Sequence, residues 1–230
     1  MAENQLDNPI WTALTTRHVE ISEGTEIGKR YLPSFTTLAG FAEQSDAAYH
    51  ALHSVMQPKQ RIGVFWLDKL VVPSIFDLAA QDRVTQMVCA GLKECKTFPM
   101  EVLTTDDVPE MKALVLLTQP GPFAERTIEF GTFLGIKIDG KIAAMAGRRM
   151  KLPGFDEVSA VCTHPDHQGK GFARALVNAV SQQIIDEGST PMLHVRSTNE
   201  AAIRSYQSVG FQIRQEFNLG VLKPSALVKS

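Results

Sequence analysis

Thr163-His164-Pro165-Asp166-His167-Gln168-Gly169-Lys170-Gly171-Phe172-Ala173 is the stretch on which the reading of this 230-residue chain turns. An apolar, β-branched run ends at Thr163. A loop follows, and an amphipathic helix opens inside a glycine-rich segment. Glycines there allow backbone angles closed to other residues and let a ligand come near the main chain. The first amides of a helix have no partner within it and point outward as donors. With the helix dipole they make an anion site suited to a pyrophosphate, and Lys170 adds a charge beside it. A nucleotide-binding loop of the Gly-Lys-Ser/Thr kind is excluded, because the required positions hold His164 and Gly171. A dinucleotide fingerprint is a poor match, because its third glycine would be Arg174 and no acidic residue stands about 20 residues on in a second strand.

The elements around this loop read clearly. Met100 to Leu103 is a short strand, and Asp106-Asp107 caps a helix through Leu114 and Leu117, stopped by Gln119-Pro120-Gly121-Pro122. Thr132 to Ile138 and Lys141 to Met150 are strands joined by Asp139-Gly140, a hairpin signal. Glu157 to Thr163 is a third strand. Phe172, Leu176, Val180 and Ile184 recur at helical spacing over 172–185, with Gly188 placed to end the helix. Met192 to Val195 is a strand, Glu200 to Gln207 a helix, and Gly210-Phe211 opens a last strand. The order β-α-β-β-β-α-β-α-β implies an α/β (α+β) fold: a mixed central sheet with helices on both faces.

A second pattern stands downstream: Asn199-Glu200-Ala201-Ala202-Ile203-Arg204-Ser205-Tyr206-Gln207-Ser208-Val209-Gly210-Phe211. Together the two patterns resemble the GNAT superfamily of N-acetyltransferases. Gln168, Gly171 and Ala173 match its acyl-CoA loop, Q/R-x-x-G-x-G/A, and the second stretch is similar to N-x-x-A-x-x-x-Y-x-x-x-G-F at every specified position. The resemblance covers about residues 98–220. It departs at Thr163, where the family often has Val, at Gln168 for the commoner Arg, and at Ala173 for Gly.

The resemblance implies the GNAT fold, with a splayed strand pair, and acetyl-CoA as co-substrate. Val161, Cys162 and Thr163 would lie along the pantetheine arm, and Gln168, Gly169, Lys170, Gly171, Phe172 and Ala173 around the pyrophosphate. Asn199 would contact pantetheine, cap its helix, or do both. Tyr206 matches the general acid that protonates the departing thiolate; a ring packed on the sheet is the alternative. Glu157, opening the splayed strand, is the candidate for the base, acting directly or through a water, against a solvated carboxylate after a turn. Glu129 is a weaker candidate. Direct transfer to a primary amine is implied: a small molecule, an amino acid or a protein N-terminus. A CoA-binding regulator without turnover, or a protein-interaction module, is the alternative. The acceptor would meet Gln119 to Arg126, with Phe123, Glu125 and Arg126.

Other features are read as structural. Cys162 and His164 lie two apart, a spacing that would put them on one face of a strand as a Cys–His nucleophile, but a buried thiol and a loop histidine are the simpler reading. His164-Pro165-Asp166-His167 supplies too few ligands for a metal, and none is expected. Outside the resemblance, 1–95 reads as an N-terminal α/β region, with a degenerate GNAT-like half as one alternative. It holds a helix over 7–22, an extended Tyr31 to Phe35, a helix over Asp46 to Met56, and strands at Arg61 to Leu67 and Arg83 to Val88. A soft boundary falls at 91–97, so 96–230 is the acetyltransferase domain.

Composition bounds the partners. Hydrophobic residues make up 44% of the chain, and 23 Lys and Arg face 25 Asp and Glu. That balance lacks the basic footprint of a nucleic-acid binder or a lipid-bound surface. Three cysteines do not make a disulfide framework. Met1-Ala2-Glu3-Asn4-Gln5 carries no leader pattern, and no apolar run approaches the roughly 20 residues of a membrane span. A cytoplasmic protein is expected, and a homodimer is left open.

Overall fold

The computed structural model describes residues 4–226; Met1–Glu3, part of the stretch read for a leader, lie outside them. The chain divides into two compact units. One comprises the residues up to Val84, Met150–Pro153 and those from Glu216 on; the other comprises Thr85–Arg149 and Gly154–Gln215. The sequence suggests a boundary at 91–97, where charge and glycine break the pattern. The units part at Val84/Thr85 instead, within a single long strand.

The first unit starts with α1 (Pro9–Thr15), followed by β1 (Ser22–Gly24), β2 (Gly28–Tyr31) and β3 (Ala39–Phe41), which form an antiparallel sheet in that order. Then come α2 (Asp46–Ser54) and β4 (Ile62–Trp66). Phe41, Tyr49, Leu52, Ile62, Val64, Phe76 and Leu222 form its core. The helix expected over 7–22 is shorter than its apolar spacing suggests. Thr15 and Thr16 hydrogen-bond through their hydroxyls to the Trp11 and Thr12 carbonyls, and such threonines compete with helix continuation. Val19–Ile21 is a separate 3-10 turn. The extended reading of Tyr31 to Phe35 is also corrected: β2 ends at Tyr31, and Phe35 N–H closes a turn onto Leu32 O at 2.9 Å across Pro33.

β5 (Phe76–Cys89) carries the chain into the second unit. There follow β6 (Glu101–Val102), α3 (Val108–Thr118), β7 (Leu134–Ile138), β8 (Lys141–Leu152), β9 (Phe155–Thr163), α4 (Phe172–Asp186), β10 (Thr190–Arg196), α5 (Glu200–Val209) and β11 (Phe211–Pro224). The strand order is β11-β5-β10-β9-β8-β7-β6. β4 pairs with the far half of β11, Asn218 to Leu222, within the first unit. Asp139 and Gly140 both have positive φ, 51° and 76°, as their hairpin turn requires.

Apolar side chains alternate to the two faces of this sheet. Ala144 and Ala146 of β8 pack with Leu176, Val180, Tyr206 and Val209 of α4 and α5. Met145, between them, packs with Val108, Met111 and Leu114 of α3. Helices therefore cover both faces, as the element order implies. α4 ends where Gly188 takes φ 81° and Ser189 N–H reaches back to Ile184 O at 3.0 Å.

Candidate active site

The loop between β9 and α4 has the shape its glycines suggest. His164 N–H donates to Ala143 O at 2.8 Å, so the strand stays anchored to β8 until the loop begins. Pro165–His167 forms one 3-10 turn, Gln168 is extended, and Gly169 and Gly171 take φ of 76° and 90°. The first amide to donate within α4 is Ala175, to Gly171 O at 3.1 Å. The amides of Phe172, Ala173 and Arg174 precede it and have no helical acceptor. A Cβ built on Gly169 meets nothing within 4 Å; on Gly171 its nearest neighbours are Arg174 Nη2 and Phe98 Cε2, at 3.9 and 4.0 Å. The cradle is thus open and shallow, and the glycines are demanded by backbone angle rather than crowding. An anionic diphosphate fits it. Phe172 anchors the helix start against Phe98, ring to ring at 4.8 Å. Lys170 Nζ lies 2.9 Å from His167 Nδ1 at the exposed rim.

Upstream of the loop, β9 and β10 run parallel with Thr190 opposite Phe155, Pro191 opposite Asp156 and Met192 opposite Glu157, and the register ends there. β9 continues to Thr163 and β10 to Arg196. Ala160 has φ 50°, the mark of a bulge in β9. One extra residue reverses the facing of a strand. Accordingly Val158 and Val161, three apart, both pack on the α4 and α5 side, whereas Ala160 and Cys162 pack on the α3 side.

Tyr206 lies in α5, 8% exposed, its ring 6.4 Å from that of Phe211. Burial pushes its phenol up to about 12, and the nearby Cys162 adds to the effect, so the hydroxyl keeps its proton at neutral pH. The Cys162 thiol is itself pushed up to about 11 by burial, with the Thr118 side chain acting in the opposite sense. A protonated buried thiol is a poor nucleophile, in line with the structural reading of that cysteine. Asn199 caps α5, accepting from Ala202 N–H at 3.1 Å.

Glu157 departs from both of its expected settings. It is a fully buried carboxylate at the last paired position of β9, neither an accessible base nor a solvated one. Arg149 donates to it twice, Nη2 to Oε1 at 2.6 Å and Nε to Oε2 at 2.8 Å, and His194 Nδ1 lies 2.8 Å from Oε1. Burial alone would raise its pKa, but the charge and hydrogen bonds of Arg149, with those of His194, hold the carboxyl down to about 2. Glu129 is elsewhere engaged, paired at the surface with Arg126 through two contacts of 2.7 Å.

The loop expected to hold the acceptor contributes Pro120, Gly121, Pro122 and Phe123 to a small open hollow, completed by Arg149, Ser159 and Ala160. Glu125 and Arg126 do not line it: they pair with Lys112 and Glu129. Among the described residues, no three His, Cys, Asp or Glu side chains gather as a metal site would need. Arg149 and His194 are absent from the sequence reading. The only signal for them is a charged Arg148-Arg149 pair ending an otherwise apolar strand and a histidine inside Met192 to Val195.

The same architecture recurs in known proteins. Residues 133–218 match the family model described as FR47-like protein. The [ribosomal protein bS18]-alanine N-acetyltransferase of Escherichia coli K12 is 31% identical over 117 residues, 47% of this chain and 77% of that one. The N-alpha-acetyltransferase RimI of Mycobacterium tuberculosis is 34% identical over 85 residues, and the mycothiol acetyltransferase of Corynebacterium aurimucosum 32% over 65. The chain spans only 51% and 21% of the length of those two relatives. A crystal structure assigned to the GNAT acetyltransferases, from Novosphingobium aromaticivorans, superposes with a TM-score of 0.90 at 32% identity, over 97% of this chain and 100% of that one. A GCN5-related N-acetyltransferase from Kribbella flavida shares the fold, with a TM-score of 0.64 at 15% identity over 94% of this chain and 95% of that one. With the glycine cradle, the parted strands and the buried phenol already in place, these likenesses make the chain a member of the GNAT family of acetyltransferases.

Proposed function

We propose that the chain moves an acetyl group from acetyl-CoA to a primary amine by direct transfer. The observation that carries this reading is the parting of β9 from β10 after Glu157, which leaves the Val158–Thr163 edge leading to the glycine cradle. An extended amide-bearing ligand gains main-chain hydrogen bonds along such an edge. Backbone groups of Val161 and Thr163 would hold the pantetheine, and amides from Gly169 to Arg174 the diphosphate.

Acetyl-CoA supplies an acyl group already activated as a thioester. The chain's own part is to place the amine against the carbonyl carbon and to handle two protons. Tyr206 gives its hydroxyl proton to the sulfur as the C–S bond breaks, and recovers one from solvent. A carboxyl held near 2 is a weak base. Glu157 therefore fixes Arg149 and His194, and water takes the proton released by the amine. The three cysteines are free thiols, which suits a reducing compartment.

The Escherichia coli relative's name gives an alanine of ribosomal protein bS18 as its acceptor, so a peptide beginning with free alanine is the first acceptor to try. The test is mass spectrometry of that peptide, and of a panel of small primary amines, after incubation with enzyme and acetyl-CoA. One acetyl group on an acceptor nitrogen is the expected product. Acetyl-CoA binding without acetylation of any acceptor would favour a regulator instead.

A further inference from the structure

Five side chains, one from each of five neighbouring strands, form a polar row across the second unit. Arg214 (β11) donates from Nη1 to Gln86 Oε1 (β5) at 2.8 Å. Gln86 Nε2 lies 3.1 Å from His194 Nε2 (β10), and His194 Nδ1 lies 2.8 Å from Glu157 Oε1 (β9). Glu157 grips Arg149 (β8). Gln86 is fully buried, and only 2% of the His194 side chain is exposed.

The row has a direction. A guanidinium only donates, so Gln86 must turn its carbonyl toward Arg214 and its amide toward His194. An amide N–H facing Nε2 requires that nitrogen to accept. The ring proton then sits on Nδ1 and is donated to Glu157. Buried ionic groups are often no more stabilising than apolar side chains of similar size. Stability alone is therefore a weak reason for this row. Its location offers a better one: Glu157 sits where β9 and β10 part, and Arg149 forms a wall of the hollow beside Phe123.

We propose that His194 is a positioning residue for the acceptor site. Its ring is oriented by Gln86 and Arg214, and it locks Glu157 so that Arg149 holds one place in the wall of the hollow. The functional part of this inference rests on the acetyltransferase reading. The relay itself does not.

The test uses the full chain. In nitrogen-15 spectra at neutral pH the His194 ring carries its proton on Nδ1, with Nε2 bare, and Arg149 Nε–H exchanges slowly. His194→Leu abolishes the slow Arg149 signal, whereas His194→Asn, whose amide can still donate to Glu157, retains it. Arg214→Met weakens it in the same sense without touching the site. With the alanine peptide as probe, His194→Leu raises KM for the peptide about tenfold, the scale of one hydrogen bond to a charged group. The acetyl-CoA dissociation constant stays within twofold, and His194→Asn recovers most of the loss. A proton on Nε2 in the parent, or an unchanged Arg149 signal in His194→Leu, would overturn the relay. Equal losses for peptide and acetyl-CoA would make His194 merely structural. If the parent acetylates nothing while the spectra behave as stated, the acetyltransferase reading fails and the relay stands.

Discussion

Tyr206 and Glu157 show what one residue can and cannot reveal from sequence. Tyr206 is legible because its motif is local: seven residues after a helix cap and four before the glycine that ends the helix. Burial then keeps its phenol protonated, as an acid needs. Tyr206→Phe keeps the ring and removes only the hydroxyl. We expect kcat to fall roughly tenfold to a hundredfold, the lower part of the range for general acids, since a thiolate leaves readily. Melting temperature and acetyl-CoA affinity should hardly move. A kcat within twofold of the parent, with chemistry limiting, would make Tyr206 a packing residue. Glu157 was legible only as a carboxylate in the right strand. Its partners lie 8 and 37 residues away and meet it only once the sheet forms. Its folded pKa is depressed, so its stabilisation is present above the unfolded value of about 4.5 and is lost as pH falls toward about 2. The difference corresponds to roughly 3 kcal/mol. Urea unfolding between pH 6 and 3 should therefore show a loss that Glu157→Gln lacks. That variant should already be less stable by several kcal/mol at pH 6, because it leaves Arg149 buried without its counter-charge. Coincident stability profiles for parent and variant would show that the pair contributes nothing.

Among the elements, α4 and the β7–β8 hairpin could be read almost to the residue. Helical spacing and an Asp-Gly pair are signals carried by neighbours in sequence. The bulge at Ala160 could not. No glycine or proline announces it, and only the division of Val158, Ala160, Val161 and Cys162 between two cores exposes it. The cradle between β9 and α4 was legible as glycines. A side chain at Gly171 meets open space, so a substitution acts through the φ of 90° and by filling the cradle. Gly171→Val combines a β-branched residue with a left-handed backbone, a strain of about 1–3 kcal/mol. The variant should melt lower than the parent and show no stabilisation by acetyl-CoA. The parent should gain about 2.7 kcal/mol at a hundred times the dissociation constant. Full stabilisation of Gly171→Val by acetyl-CoA would mean that the cradle does not hold the diphosphate.

On the scale of the whole chain, the motifs lie in the second unit, and that is where the reading was detailed. The first unit carries none, and its composition resembles any small mixed core. Its membership was the least legible feature: residues from Glu216 onward belong with it, through the pairing of β4 with Asn218 to Leu222. A strand's partner more than 150 positions away leaves no mark in local sequence. The first unit is nonetheless shared, since the Novosphingobium aromaticivorans structure aligns over 97% of this chain. The central claim is that the parted edge of β9 and the cradle after it receive acetyl-CoA. Amide hydrogen exchange across the full chain, with and without saturating acetyl-CoA, tests it directly. Added protection should concentrate in Val158 to Thr163 and in Gly169 to Arg174. Unchanged exchange in both segments, or protection that falls elsewhere, would contradict it.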